Sequence, residues 1–411
     1  MPMNIFLQER PSIALSLFRI AVALTVGLHV FPSLLCLSDN YYPTALKTFN
    51  TSFFPIGVLE MVNNSPVWLI NVMVGFFVIS CIFFLLGFLT QLSCWLLILS
   101  AYYFYALNSF HIGTLSWDIL LVTLVLMGVT PYPGDYFSLD ALRKRQQESY
   151  AQCRPFFIQR LLQVQIAFTF FYTGLNKISP YGNWFKDNPL YYLMNYPPIG
   201  VTKNFMLKEW LGQHPEFCYV LGVMIVLVEI LMPLLLWVRS SRRIGIMLGC
   251  FFHGLLLLTL DVPTIFFFLF PAQLMLFVNP QEVLAWINQQ RKFYEQAPRC
   301  YILYDGKCGF CRDKIVLLRV MDLFNRLDCV DLHQAPLATL APHLTLHQAL
   351  AQIHFIDSNG RVWAGFEAMR RLAWLLPMMY PLIPLFYLPG ASLLGNLVYR
   401  WVAHNRYLFH L

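Results

Sequence analysis

The stretch from Tyr301 to Leu318, YILYDGKCGFCRDKIVLL, decides how the chain divides. Tyr301-Ile302-Leu303-Tyr304 reads as a short buried strand and Asp305-Gly306 as its turn. Cys308-Gly309-Phe310-Cys311 then opens a helix that Lys314-Ile315-Val316-Leu317-Leu318 continues. Strand, CxxC and helix in that order are the parts of a redox module. A thiol at a helix N-terminus meets the positive end of the helix dipole, and Lys307 and Arg312 add cations, so thiolate is expected to form more readily. Cys308, expected to be the more exposed thiol, is the candidate nucleophile, and Cys311, one turn on, the thiol that resolves a mixed disulfide. Half of a zinc site is the alternative. No second CxxC follows, however, and His333, His343 and His347 lack a ligand spacing, so no metal is expected.

Outward from this stretch towards the C-terminus, His354-Phe355-Ile356-Asp357, Ser358-Asn359-Gly360 and Arg361-Val362-Trp363 read as a hairpin, followed by a helix from Glu367 to Leu376. The apolar run 378–399 is interrupted by Pro381, Pro384 and Pro389-Gly390, which argues against a membrane span there. Tyr304-Asp305-Gly306-Lys307-Cys308-Gly309-Phe310-Cys311 resembles the signature of the DCC thiol-disulfide oxidoreductase-like family, related to thioredoxin-like folds. Gly360 to Ala368 and the terminal segment from Tyr399, with Ala403, Asn405, Arg406 and Tyr407, fit the same layout. The resemblance covers roughly 299–411 and implies a small α/β domain with a redox disulfide between Cys308 and Cys311.

Outward towards the N-terminus the composition changes. Of the 411 residues, 58% are hydrophobic and only 12% charged, where soluble domains hold about 45–50% and about 25%. That excludes a purely soluble enzyme. The formal charge of +7 is unaccompanied by nucleic-acid motifs or long basic runs, so nucleic acid is not an expected partner. Eight apolar stretches have the length of spans, about 20 residues for about 30 Å of hydrocarbon: 12–37, 66–88, 92–107, 115–130, 157–178, 217–238, 243–260 and 262–279. Basic residues gather at Arg143, Lys144, Arg145 and Arg154 and again at Arg239, Arg242 and Arg243. With both loops cytoplasmic, the N- and C-termini are cytoplasmic and loops 38–65 and 179–216 lie outside. The expected architecture is therefore an all-α polytopic bundle of about eight transmembrane helices over 1–285, a linker over 286–298 and the α/β domain over 299–411, in a bacterial inner membrane.

Ionisable groups inside hydrocarbon cost at least about 2.5–3.5 kcal/mol each, so every one is a functional suspect. His111, Asp118, Lys177, Glu229 and His253 stand out. Asp118 and Glu229 also read as buried partners bracing helices, and lone histidines as packing residues. Lys177, closing Gly174-Leu175-Asn176-Lys177, reads either as an amine snorkelling to headgroups or as a partly buried base.

Phe171-Tyr172-Thr173-Gly174-Leu175-Asn176-Lys177-Ile178 with Asn183-Trp184 resembles the HTTM family, the membrane module shared with vitamin K-dependent gamma-carboxylase. Asn108-Ser109-Phe110-His111, Glu229 with Pro233, and Phe251-Phe252-His253 agree with it in order and spacing over about 10–285. The resemblance implies that Lys177 matches a base that deprotonates reduced vitamin K, that His111 matches a histidine near the same chemistry, and that His253, Glu229 and Trp184 bind substrate. The chain departs from the animal carboxylase, which continues into a large lumenal region, so a smaller substrate than a clotting-factor propeptide is expected. Two readings of function follow. One is a membrane enzyme acting on a lipophilic substrate of quinone type (reduced vitamin K or menaquinone) with a thiol-handling tail and a thiol partner protein. The other is a membrane maturation or export factor for a secreted peptide.

Overall fold

The computed structural model describes residues 8–49, 51, 54–109, 117–145, 153–179, 184–196, 206–259, 264–334 and 337–406. They form two compact units, Met1–Ala141 with Tyr150–Pro280, and Leu142–Ser149 with Gln281–Leu411.

Helices occupy all eight apolar stretches of the first unit: α1 (Ile13–Leu34), α2 (Val67–Leu86), α3 (Thr90–Leu107), α4 (Trp117–Gly128), α5 (Phe157–Ile178), α6 (Pro215–Trp237), α7 (Arg242–Thr259) and α8 (Thr264–Met275). Among the described residues five of them, α1, α2, α3, α6 and α7, are long and apolar enough to cross a membrane. The described parts of α4 and α8 have 12 residues each, and α5 is long but polar. Its polarity has a structural cause: Gln159 and Gln163 both donate to the carbonyl of Leu276, at 2.5 and 2.8 Å. Leu276 follows the last turn of α8, where the backbone carbonyls have no helical partner, and in a bundle such groups must be satisfied by other protein groups.

A short antiparallel pair, β1 (Glu9–Pro11) with β2 (Cys153–Pro155), ties the start of α1 to the start of α5. The buried Asp135 carboxylate closes this end, accepting from Ser12 Oγ at 2.9 Å and from Arg154 Nε at 3.0 Å. Arg154, read from sequence as an orientation mark, thus also has a packing role. Arg19, fully buried in α1, donates from Nη2 to the carbonyl of Phe137 at 2.6 Å. At the other end Asn108 is fully buried and pins the loop after α1, donating to Asn40 O at 2.7 Å and accepting from Thr48 N at 3.1 Å.

The main segment of the second unit opens in α9 (Pro280–Glu295), so most of the segment expected as a linker is helical. Arg291 of this helix donates to Leu323 O at 2.8 Å, and Trp286 and Tyr294 pack their rings on Phe324. A mixed sheet follows in the order β4-β3-β5-β6: β3 (Cys300–Tyr304), β4 (Leu327–Asp331), β5 (His354–Ile356) and β6 (Val362–Ala364). β3 runs parallel to β4, and β5 antiparallel to both of its neighbours. The crossover from β3 to β4 is α10 (Gly309–Met321), and α11 (Gly365–Leu375) and α12 (Ala391–Asn405) complete the unit. This is the small α/β domain expected, with the hairpin and the helix after it in place. The run 378–399 is broken into a 3-10 turn, a four-residue helix and the start of α12, as its prolines require.

Candidate functional site

The dithiol stands at the carboxyl end of β3. Asp305 shapes the turn that leads to it, accepting from Lys307 N at 3.0 Å and, through its backbone carbonyl, from Cys308 N at 3.2 Å. Gly306 is required there, since a Cβ would lie 2.1 Å from the Asp331 carboxylate that accepts its N–H. Cys308 caps α10: its sulfur accepts the Cys311 N–H at 3.4 Å.

The expected order of exposure is reversed. Cys308 is 1% exposed, whereas Cys311 is only partly buried, because the cap folds the first sulfur under the helix start. Burial, reinforced by the hydrogen bond to Cys308, pushes the Cys311 thiol up to about 12, against the opposing pull of Arg406. For this thiol desolvation outweighs the helix dipole, and it holds its proton at neutral pH.

Asp305 is buried and also meets His333 Nε2 at 2.9 Å and Arg406 Nη2 at 3.6 Å. This cluster was not legible as a unit, because its members are far apart in sequence. His333 gave no ligand pattern, and among the described residues no three His, Cys, Asp or Glu side chains group to hold a metal ion. Cys311 lines a cavity of about 830 Å³ whose wall is almost wholly apolar, from Phe310, Leu318, Phe366, Leu394 and Val398, with Lys314 and Arg406 among its few charged residues. Cys308 does not line it.

In the membrane unit the structure brings three of the sequence-derived site residues together. Lys177 Nζ lies 2.7 Å from both Glu229 oxygens and 5.1 Å from the centre of the Trp184 ring. Gly174, one turn before Lys177, makes the contact possible. A Cβ there would come within 3.1 Å of Glu229 Cβ and 3.2 Å of Ile230 N, so only glycine lets α5 and α6 approach this closely. Trp184 in turn fits over Gly222 of α6, where a Cβ would be 3.0 Å from its indole nitrogen. The Lys177 side chain is 20% exposed and that of Glu229 8%, a largely buried ion pair.

His253 is placed elsewhere. It is buried, stacked on Phe270 at 5.1 Å and edge-on to Phe170, two helical turns before Lys177 on α5. His111 lies outside the described residues. Asp118 is exposed in the first turn of α4.

The family described as HTTM domain matches residues 8–281, and the family described as DCC1-like thiol-disulfide oxidoreductase matches residues 302–410. No curated protein and no solved structure matches the chain. The first match spans more than half of the sequence, so the chain belongs to the HTTM family, with a DCC1-like thiol-disulfide oxidoreductase domain in the same polypeptide.

Proposed function

We propose that this member of the HTTM family is a membrane enzyme in which the Cys308–Cys311 dithiol exchanges electrons with a lipophilic substrate of quinone type, whose reduced form is handled at Lys177. The observation that carries the reading is the CxxC pair capping α10 with Cys311 facing an apolar cavity. A dithiol surrounded by hydrocarbon side chains suits an apolar oxidant better than a hydrated one.

At the membrane site the Lys177–Glu229 pair supplies a route for a proton. Transfer of the ammonium proton to Glu229 leaves a neutral amine, which takes the phenolic proton of a hydroquinone, while the Trp184 ring flanks the bound ring. Lys177 is the base in this scheme, with Glu229 and Trp184 as binding residues. His253, edge-on to Phe170, would meet the substrate's tail, and His111 would act near the same ring. The chemistry ends at the hydroquinone and does not include carboxylation of a protein. A thiol partner protein returns the disulfide to the dithiol, and the enzyme works in a bacterial inner membrane with both termini cytoplasmic.

The test uses the purified full-length chain in lipid nanodiscs, with menaquinone as acceptor and dithiothreitol as donor. Quinone reduction is expected to vanish in Cys308→Ser. Deprotonation of added menaquinol, followed by the absorbance of its anion, is expected to slow about 100-fold or more in Lys177→Ala at equal folded yield, the range for losing a general base. No turnover in the parent, or full turnover in Cys308→Ser, overturns the reading. Maturation of a secreted peptide that survives Lys177→Ala would favour the export-factor alternative.

A further inference from the structure

We infer that the apolar groove beside Cys311 is a binding site for a quinone carrying an apolar tail, and that the dithiol transfers two electrons to it there. This rests on the function proposed above and assigns the reduction step to a place in the tail unit distinct from Lys177. Three observations support it.

The groove, about 830 Å³, falls within the range of small-ligand sites, about 300–1,000 Å³. Its lining comes from the end of β3, α10, the stretch 349–353, α11, the run 385–390 and α12 with Arg406. Its charged groups gather near the dithiol: the Asp305 carbonyl accepts the Cys308 N–H, Arg406 lies 3.6 Å from Asp305, and Lys314 follows Cys311 by one turn. A quinone ring with a hydrocarbon tail has this division of polarity. The order of burial is the second observation. Cys308 is 1% exposed, whereas Cys311 opens into the groove, so a small molecule seated there meets the more accessible sulfur directly. Third, Arg406 acts on the Cys311 sulfur from the groove wall, placing a cation where negative charge develops on a ring oxygen.

The step balances with the dithiol as sole reductant. The Cys311 sulfur adds to a ring carbon, forming a C–S bond, as its proton passes to a ring oxygen. The Cys308 sulfur then attacks the Cys311 sulfur. The S–S bond forms as the C–S bond breaks, and the electron pair and the second proton stay with the ring, which leaves as hydroquinone. Two electrons and two protons move from dithiol to quinone.

The experiment takes the reduced full-length chain in nanodiscs and follows a single turnover with decylubiquinone by the loss of its ultraviolet absorbance. Val398→Trp, which fills the groove, is expected to slow the step about tenfold or more. Leu346→Gln, on the tail surface outside the groove, is expected to stay within about twofold. An azido-quinone photolabel on the unsubstituted protein supplies a readout independent of folding in the variants. Label on peptides from 385–406 is expected; label confined to 1–280 overturns the site. An unchanged rate in Val398→Trp overturns it too. Quinone reduction that persists in Cys311→Ser instead removes the proposed function itself, so the two failures are distinguishable.

Discussion

A single lysine held by both oxygens of one carboxylate inside a helical bundle is either a brace or a proton device, and substitutions separate the two. Removing one partner of a buried pair leaves the other charge uncompensated, a loss of about 3 kcal/mol or more, whereas replacing both with apolar side chains of similar volume is close to neutral. Lys177→Met and Glu229→Gln are therefore each expected to lower the thermal midpoint in detergent, and the double variant Lys177→Met/Glu229→Leu to recover most of it. Under the proposed function that recovered protein is still unable to deprotonate hydroquinone. A double variant that is both stable and active would reduce the pair to a brace. The sequence pointed to Lys177 and Glu229 one at a time, as costly groups in apolar helices. Their pairing across 52 residues was beyond it, because it depends on a helix crossing that Gly174 permits. The burial of Cys308 below Cys311 was equally hidden, since it depends on the cap that the Cys308 sulfur makes to the Cys311 N–H.

At the scale of elements, α11 and α12 form much of the groove wall, and one carboxylate links them. Glu367 of α11 accepts from Ser392 Oγ of α12 at 2.7 Å and from Arg370 Nη1 at 2.8 Å. Burial works against its charge, but these hydrogen bonds together hold its pKa below the ordinary 4.5. A carboxyl with a depressed native pKa contributes stability above its unfolded value, and that contribution is lost as pH falls through the folded value. Ser392→Ala is thus expected to cost about 1 kcal/mol near pH 7, and the difference from the parent should shrink as the carboxyl protonates below about pH 4. A gap of constant size down to about pH 3 would mean that the serine acts through packing and not through Glu367. Helix existence in this region was readable from periodicity and prolines. α9 was not, because its segment mixes Gln, Arg, Lys and Glu with scattered aromatics, and the side of the helix that packs is set by Phe324, which follows α10.

For the whole molecule the open physical question is parity. All eight apolar stretches are helical, but α4, α5 and α8 fall short of a span by length in their described residues or by polarity. Polar side chains on α5 do not exclude it from the bilayer, because its glutamines are spent on backbone carbonyls within the bundle and offer nothing to lipid. We therefore expect eight crossings, an even number, with both termini on one side. Two native thiols report the count. Cys36, after α1, and Cys153, between α4 and α5, are both exposed. With the N-terminus inside, eight crossings place Cys36 outside and Cys153 inside, whereas five crossings through α1, α2, α3, α6 and α7 place both outside. In intact cells a membrane-impermeant maleimide, read by peptide mass spectrometry, is expected to label Cys36 and to reach Cys153 only after permeabilisation. Labelling of both in intact cells would put the dithiol domain on the outer side, where a CxxC pair rests oxidised, and would reverse the direction of electron flow that the proposed chemistry needs.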